Sequence, residues 1–184
     1  MRNLITVCVW AAVAAGLAAC SVNGGAQPGR GPGLEVGAVR AGAVMLRSEG
    51  RDVLRLSLPE GANCSAQEGA ARVESRGHEV VTLWMVEHAS TVDEGVGRVT
   101  REIEAEFKDF RPLKSMEVSV GGSPARRVTG SGTEADDGDP GSADVVVFKV
   151  GPGVFIACAH GESLTSAARS WLMTVVQGAT GPER

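Results

Sequence analysis

Two apolar, β-favouring runs, residues 145–150 and 154–159, are separated only by Gly151-Pro152-Gly153. A turn of that composition between runs of that length predicts an antiparallel hairpin. Other runs extend the pattern. Val53, Leu54, Leu56 and Leu58 have a strand's apolar bias, and Pro59 and Gly61 stop them. Residues 79–86 form a dense β-favouring run long enough for a central strand. Met116, Val118 and Val120 alternate before a Gly121-Gly122 turn signal, and residues 124–129 resume an extended segment. Residues 34–50 are ambiguous, with a short edge strand at 44–47 before a turn at Glu49-Gly50. Residues 130–143, rich in Gly, Ser, Asp and Glu, read as a loop.

Two helices interrupt these strands. Thr91 and Glu94 fit a capping box, and Asp93 suits the positive helix start. Val92, Val96, Val99, Ile103, Phe107 and Phe110 recur every three or four residues, one apolar stripe of an amphipathic helix, and Pro112 ends it. Ser163 or Thr165 caps a second helix with Leu164, Ala168, Trp171, Leu172 and Val175 inward and Gly178 at its end.

Helices segregated from hairpins imply an α+β fold, an antiparallel sheet covered by helices. The motifs carry a resemblance. Leu58-Pro59-Glu60-Gly61 closes an early strand, a β-rich run precedes the first helix, and residues 118–125 give a strand, a glycine turn and a small residue. With a late hairpin and a C-terminal helix, residues 52–178 resemble the PsbP/Mog-type αβα sandwich, which includes small bacterial lipoproteins. The resemblance implies scaffolding, binding or assembly roles and no catalytic motif. Another two-layer α+β sandwich, or a cystatin-like sheet wrapped on one helix, fits the same pattern.

The first residues carry a separate message. Arg2 precedes an apolar stretch over residues 4–10 and a run of small residues, the pattern of a secretory signal. The uncharged run is shorter than the ~20 residues that span hydrocarbon. Leu17-Ala18-Ala19-Cys20 resembles the lipobox of bacterial lipoproteins, which implies cleavage before Cys20 and lipid on its sulfur and new amine. Ser21 after the cysteine, by the same resemblance, leans toward the outer membrane of a Gram-negative cell. In a Gram-positive cell the address is the outer face of the cytoplasmic membrane. Residues 20–33, with seven Gly or Pro between 24 and 33, read as the lipidated cysteine and a flexible tether. Residues 1–19 are then the signal and 34–184 one domain.

The net charge of −4 becomes −5 once Arg2 leaves, which disfavours nucleic-acid binding and a polybasic grip on lipid heads. Of four cysteines, Cys8 leaves with the signal and Cys20 takes lipid. Cys64 and Cys158 remain, as two thiols or as a disulfide in a compartment that permits one. His88 and His160 follow strong runs, and His160 shares a strand face with Cys158, the only arrangement suggestive of a thiol hydrolase. Nothing in the sequence supplies an oxyanion hole. His78 lies in a polar segment. The acidic stretch of Glu134, Asp136, Asp137 and Asp139 fails the EF-hand spacing, and no zinc spacing or phosphate loop exists, so neither metal nor cofactor is expected. Arg126 and Arg127, strand neighbours, point to opposite faces. Trp84 and Trp171 read as core.

These features lead to an envelope lipoprotein held on the membrane through Cys20, with a non-catalytic domain that binds or supports another envelope component. A small-ligand carrier with a pocket between sheet and helix is the alternative, and a thiol or histidine hydrolase the third.

Overall fold

A computed structural model describes residues 33–134 and 138–182. In chain order the elements are β1 (Glu35–Val36), β2 (Ala43–Ser48), β3 (Arg51–Ser57), β4 (Asn63–Gln67), β5 (Ala70–Glu74), β6 (Val80–Met85), α1 (Val92–Glu106), β7 (Phe107–Val120), β8 (Ser123–Glu134), β9 (Pro140–Val150), β10 (Gly153–Gly161), α2 (Ser166–Gln177) and β11 (Ala179–Thr180). They build two sheets. The larger has seven strands in the order β4-β5-β6-β10-β9-β8-β7, and the smaller has four in the order β1-β2-β3-β11. Each pairing within them is antiparallel.

The helix-covered αβα sandwich is therefore overturned. About 55% of the structure is strand and 18% helix. Helix α1 touches β7 through β10 on one face of the large sheet. The opposite face is covered by α2 together with residues of the small sheet, so part of that layer is itself β. The correction comes from three stretches. The ambiguous residues 34–50 supply β1 and β2, and Leu34 and Val44 are core residues outside the expected 52–178 span. Residues 63–74 form a hairpin whose central residues, Glu68 and Gly69, both have positive φ (50° and 79°), as a type I′ turn requires. Most of the expected loop at 130–143 is strand, because β8 pairs with β9 as far as Thr133 and Pro140. Gly141 serves packing: a Cβ there would collide with the Phe107 ring.

β10 organises the interior. Phe155, Ala157 and Ala159 point into the cluster shared with α2 and the small sheet. Val154, Ile156 and Cys158 point into the cluster under α1. Each of the six is buried. β9 does the same with Val146 and Phe148 against Val145 and Val147. Phe148 stacks on Phe155 across the hairpin at a centroid distance of 5.7 Å.

Helix α1 starts as its sequence dictates. Glu94 donates its backbone N–H to the Thr91 hydroxyl, and its carboxylate accepts from the backbone N–H of Thr91. It stops earlier than its apolar stripe. Phe107 is extended (φ −113°, ψ 127°) and opens β7, while Val99 and Ile103 remain buried against the sheet. Burying each of the two contributes roughly 1.5–3 kcal/mol. Helix α2 is capped by Thr165, buries Leu172, Val175 and Val176, and ends at Gly178. That glycine is helical (φ −76°), not left-handed; its role is close approach, since a Cβ there would lie 2.5 Å from the Ser57 carbonyl oxygen.

Two glycines of α1 separate packing from propensity. A Cβ on Gly95 would meet Val147 and Val154 at 2.6 and 2.9 Å, whereas one on exposed Gly97 would meet nothing within 4 Å. Gly97→Ala should raise stability by about 0.5–1 kcal/mol. Gly95→Ala should lower it by about 1–3 kcal/mol through overpacking. Urea unfolding of the two variants checks the opposite signs.

Candidate functional site

Strand register brings together one buried pair of charges. Arg127 lies opposite Val146, and Asp144 opposite Thr129, so both side chains fall on the α2 face of neighbouring strands β8 and β9. The guanidinium donates Nε to Asp144 Oδ1 at 2.8 Å and Nη2 to Oδ2 at 2.5 Å. Asp144 is fully buried and Arg127 is 17% exposed. Donating to the Asp144 carboxylate holds the Arg127 pKa above its usual value. Both carboxylate oxygens are occupied, so the pair fixes register and offers no base to a substrate. Arg126, on the other face, lies 3.4 Å from Glu117 and 3.9 Å from Asp93.

A polar recess of about 290 Å³ opens beside the start of α1, lined by Glu87, His88, Glu94, Gly97, Arg98 and Arg101 among others. His88 is turned there by a left-handed backbone (φ 58°), and its Nε2 lies 3.5 Å from Glu87. Glu94 is committed to the helix start: Ser90 and Thr91 donate to its carboxylate, which holds its pKa below the usual value. Two carboxylates balance two guanidiniums, so the recess has no dominant charge, and its lining residues carry no hydroxyl, thiol or amine side chain. It lies on the outer flank of α1. Beneath the helix, the close fit of Gly95 against Val147 and Val154 leaves no hollow for a carried ligand at that point.

The thiol and imidazole candidates fall in different places. Cys64 belongs to the cluster on the α2 face and Cys158 to the cluster on the α1 face, and no bridge joins them. The sheet stands between the two, so the disulfide option closes. Burial pushes the Cys64 thiol up to about 11. Cys158 and His160 share the α1 face of β10, in register with Val145 and Ala143. Burial lowers the His160 pKa, favouring the neutral ring. His78 is exposed, and its Nδ1 lies 3.0 Å from Glu74, whose pKa that contact lowers.

At the ends of the acidic stretch Glu134 donates its N–H to Asp139 O at 2.8 Å. Asp136 and Asp137 lie outside the described residues, as do Cys20 and the lipobox. Among the described residues no group of three His, Cys, Asp or Glu is placed to hold a metal. None of the described helices is long and apolar enough to cross a membrane.

No family model and no curated protein matches the chain. A crystal structure of a protein of unknown function from Pseudomonas aeruginosa, PA94, is distantly similar, with 12% identity and a TM-score of 0.42. The similarity covers 77% of this chain and 94% of that one. It is too remote to bear on what this chain does.

Sequence reasoning missed Asp144. The signal was parity: Asp144 alternates with Val146 and Phe148, which places an acid on a buried face. Asp144→Ala should cost about 3–5 kcal/mol by stranding the guanidinium, while Asp144→Leu combined with Arg127→Met should recover most of that. Chemical denaturation of the three proteins measures it. His160 gives a pH dependence of known sign. Its folded pKa lies below the ordinary 6.5. Its contribution is therefore complete above that value and is lost as pH falls through the folded pKa. Stability measured downward from pH 7 should decline, and His160→Gln should flatten that slope.

Proposed function

We propose that the chain is an envelope lipoprotein, held on a membrane by lipid on Cys20, whose β-rich domain binds or supports another envelope component. The observation that carries the reading is Leu17-Ala18-Ala19-Cys20 at the end of a basic-then-apolar leader. Only a cysteine supplies the sulfur that a lipid thioether needs. A Gly- and Pro-rich stretch then runs to residue 33. Core packing begins at once beyond it, with Leu34 buried and its N–H donated to Gly69 O at 2.8 Å. The tether and the body are thus adjacent in the chain with no intervening element.

The energetics suit such an anchor. Each buried methylene contributes about 0.8 kcal/mol, and one acyl chain alone binds marginally, so two or three chains on one residue give stable attachment. The domain's own surface need not grip lipid. Its partner is a protein of the same envelope, and the body's role is recognition.

Fractionation with intact-mass analysis tests the anchor. The native protein should sediment with membranes and carry an acylated Cys20 as its first residue. Cys20→Ala should lose the acyl mass and leave the membrane fraction. A variant still cleaved and still membrane-bound sinks the proposal.

A further inference from the structure

Sheet edges among the described residues differ sharply. β1 and β11 have two residues each and β4 has five, whereas β7, the last strand of the large sheet, has fourteen. A long edge offers unpaired backbone N–H and C=O groups to any other strand, and proteins blunt such edges with charges, proline and bulges. On β7 those devices stop half-way. Asp109 is left-handed (φ 57°), the register shifts between Lys108 and Arg111 and again between Pro112 and Lys114, and Lys108, Arg111 and Lys114 are exposed. From Lys114 onward the strand is regular. Residues 114–120 pair one for one with residues 129–123 of β8, with no proline, glycine or bulge. Met116 and Val118 lie half-buried on the α2 face, and Ser115, Glu117 and Ser119 are exposed on the other.

We propose that this bare segment pairs antiparallel with the same segment of a second copy, about a two-fold axis through Met116, joining two seven-stranded sheets into one. Such an axis stands perpendicular to the sheet and keeps faces in common, so only registers centred on a residue are allowed. Centring on Met116 sets Met116 against Met116, Lys114 against Val118, and the Ser115 hydroxyl against the Glu117 carboxylate. No like charges face each other. Centring on Glu117 opposes two carboxylates. Centring on Lys114 opposes two ammonium groups and draws Pro112 into the ladder, and centring on Ser115 draws in residue 113, within the bulge. The Met116 and Val118 registers both use regular residues alone; the one centred on Val118 runs at once into the Gly121-Gly122 turn, whereas the one centred on Met116 ends on Pro112 of each copy, which stops the ladder. It closes on itself, so each copy covers the other's edge and leaves no template for a third.

Cysteine placed at position 116 of the full chain reads this register. Directly opposed residues have Cα atoms about 4.5–5.5 Å apart, within the Cα span that a disulfide bridges. Oxidised Met116→Cys should give a dimer whose linked peptide, identified by mass, joins position 116 to itself. Ser119→Cys should not self-link, because the two copies of that residue would sit roughly 20 Å apart. In the unmodified chain, amide exchange over residues 114–118 should slow as concentration rises, and Val118→Lys, opposing Lys114, should abolish that effect. A chain that stays monomeric with concentration-independent exchange there overturns the proposal. So does a dimer linked through other residues, or protection of the edge that arises only when a different protein is added.

Discussion

The β9–β10 hairpin is the part of the molecule on which the rest depends. Both strands are buried on both faces, so one two-stranded unit supplies side chains to both apolar clusters at once. Neither cluster can form without it. Helix α1 closes the cluster built on Val145, Val147, Val154 and Ile156. Helix α2 and the small sheet close the one built on Val146, Phe148, Phe155 and Ala157. A cavity made in this hairpin would be felt in both layers, since interiors are close-packed and relax only in part.

That dominance explains what the sequence revealed. A strand buried on both sides is an unbroken apolar run, and a Gly-Pro-Gly turn between two such runs leaves one topology. The Thr91/Glu94 capping box was legible because it is local chemistry. The β4–β5 hairpin was not, since Asn63, Ser65 and Gln67 line one face and, apart from Val73, small or polar residues fill the rest. The start of β9 reads as loop because Gly141 there makes room for the Phe107 ring, contributed from elsewhere in the chain. These were tertiary reasons, invisible to local patterning, and together they turned an expected helical layer into a second sheet.

Site legibility follows the same division. The Arg126–Arg127 parity argument placed one guanidinium on each face, as found, but the partner of Arg127 lies 17 residues away and only strand register brings it near. The recess beside α1 depends on the left-handed turn at His88, which no motif announces. The four residues ending at Cys20 carry their meaning without any fold at all, and for that reason the proposed role rests on them.

Keeping the two body cysteines apart has a practical outcome for the living cell. A thiol that burial holds near 11 stays protonated at neutral pH, and it meets solvent freely only when the edge strand opens. Among the described residues, folding draws on no cross-link between Cys64 and Cys158. Alkylation of Cys64 would thus clock the breathing of the outermost strands, a gauge that the molecule carries in its own chain.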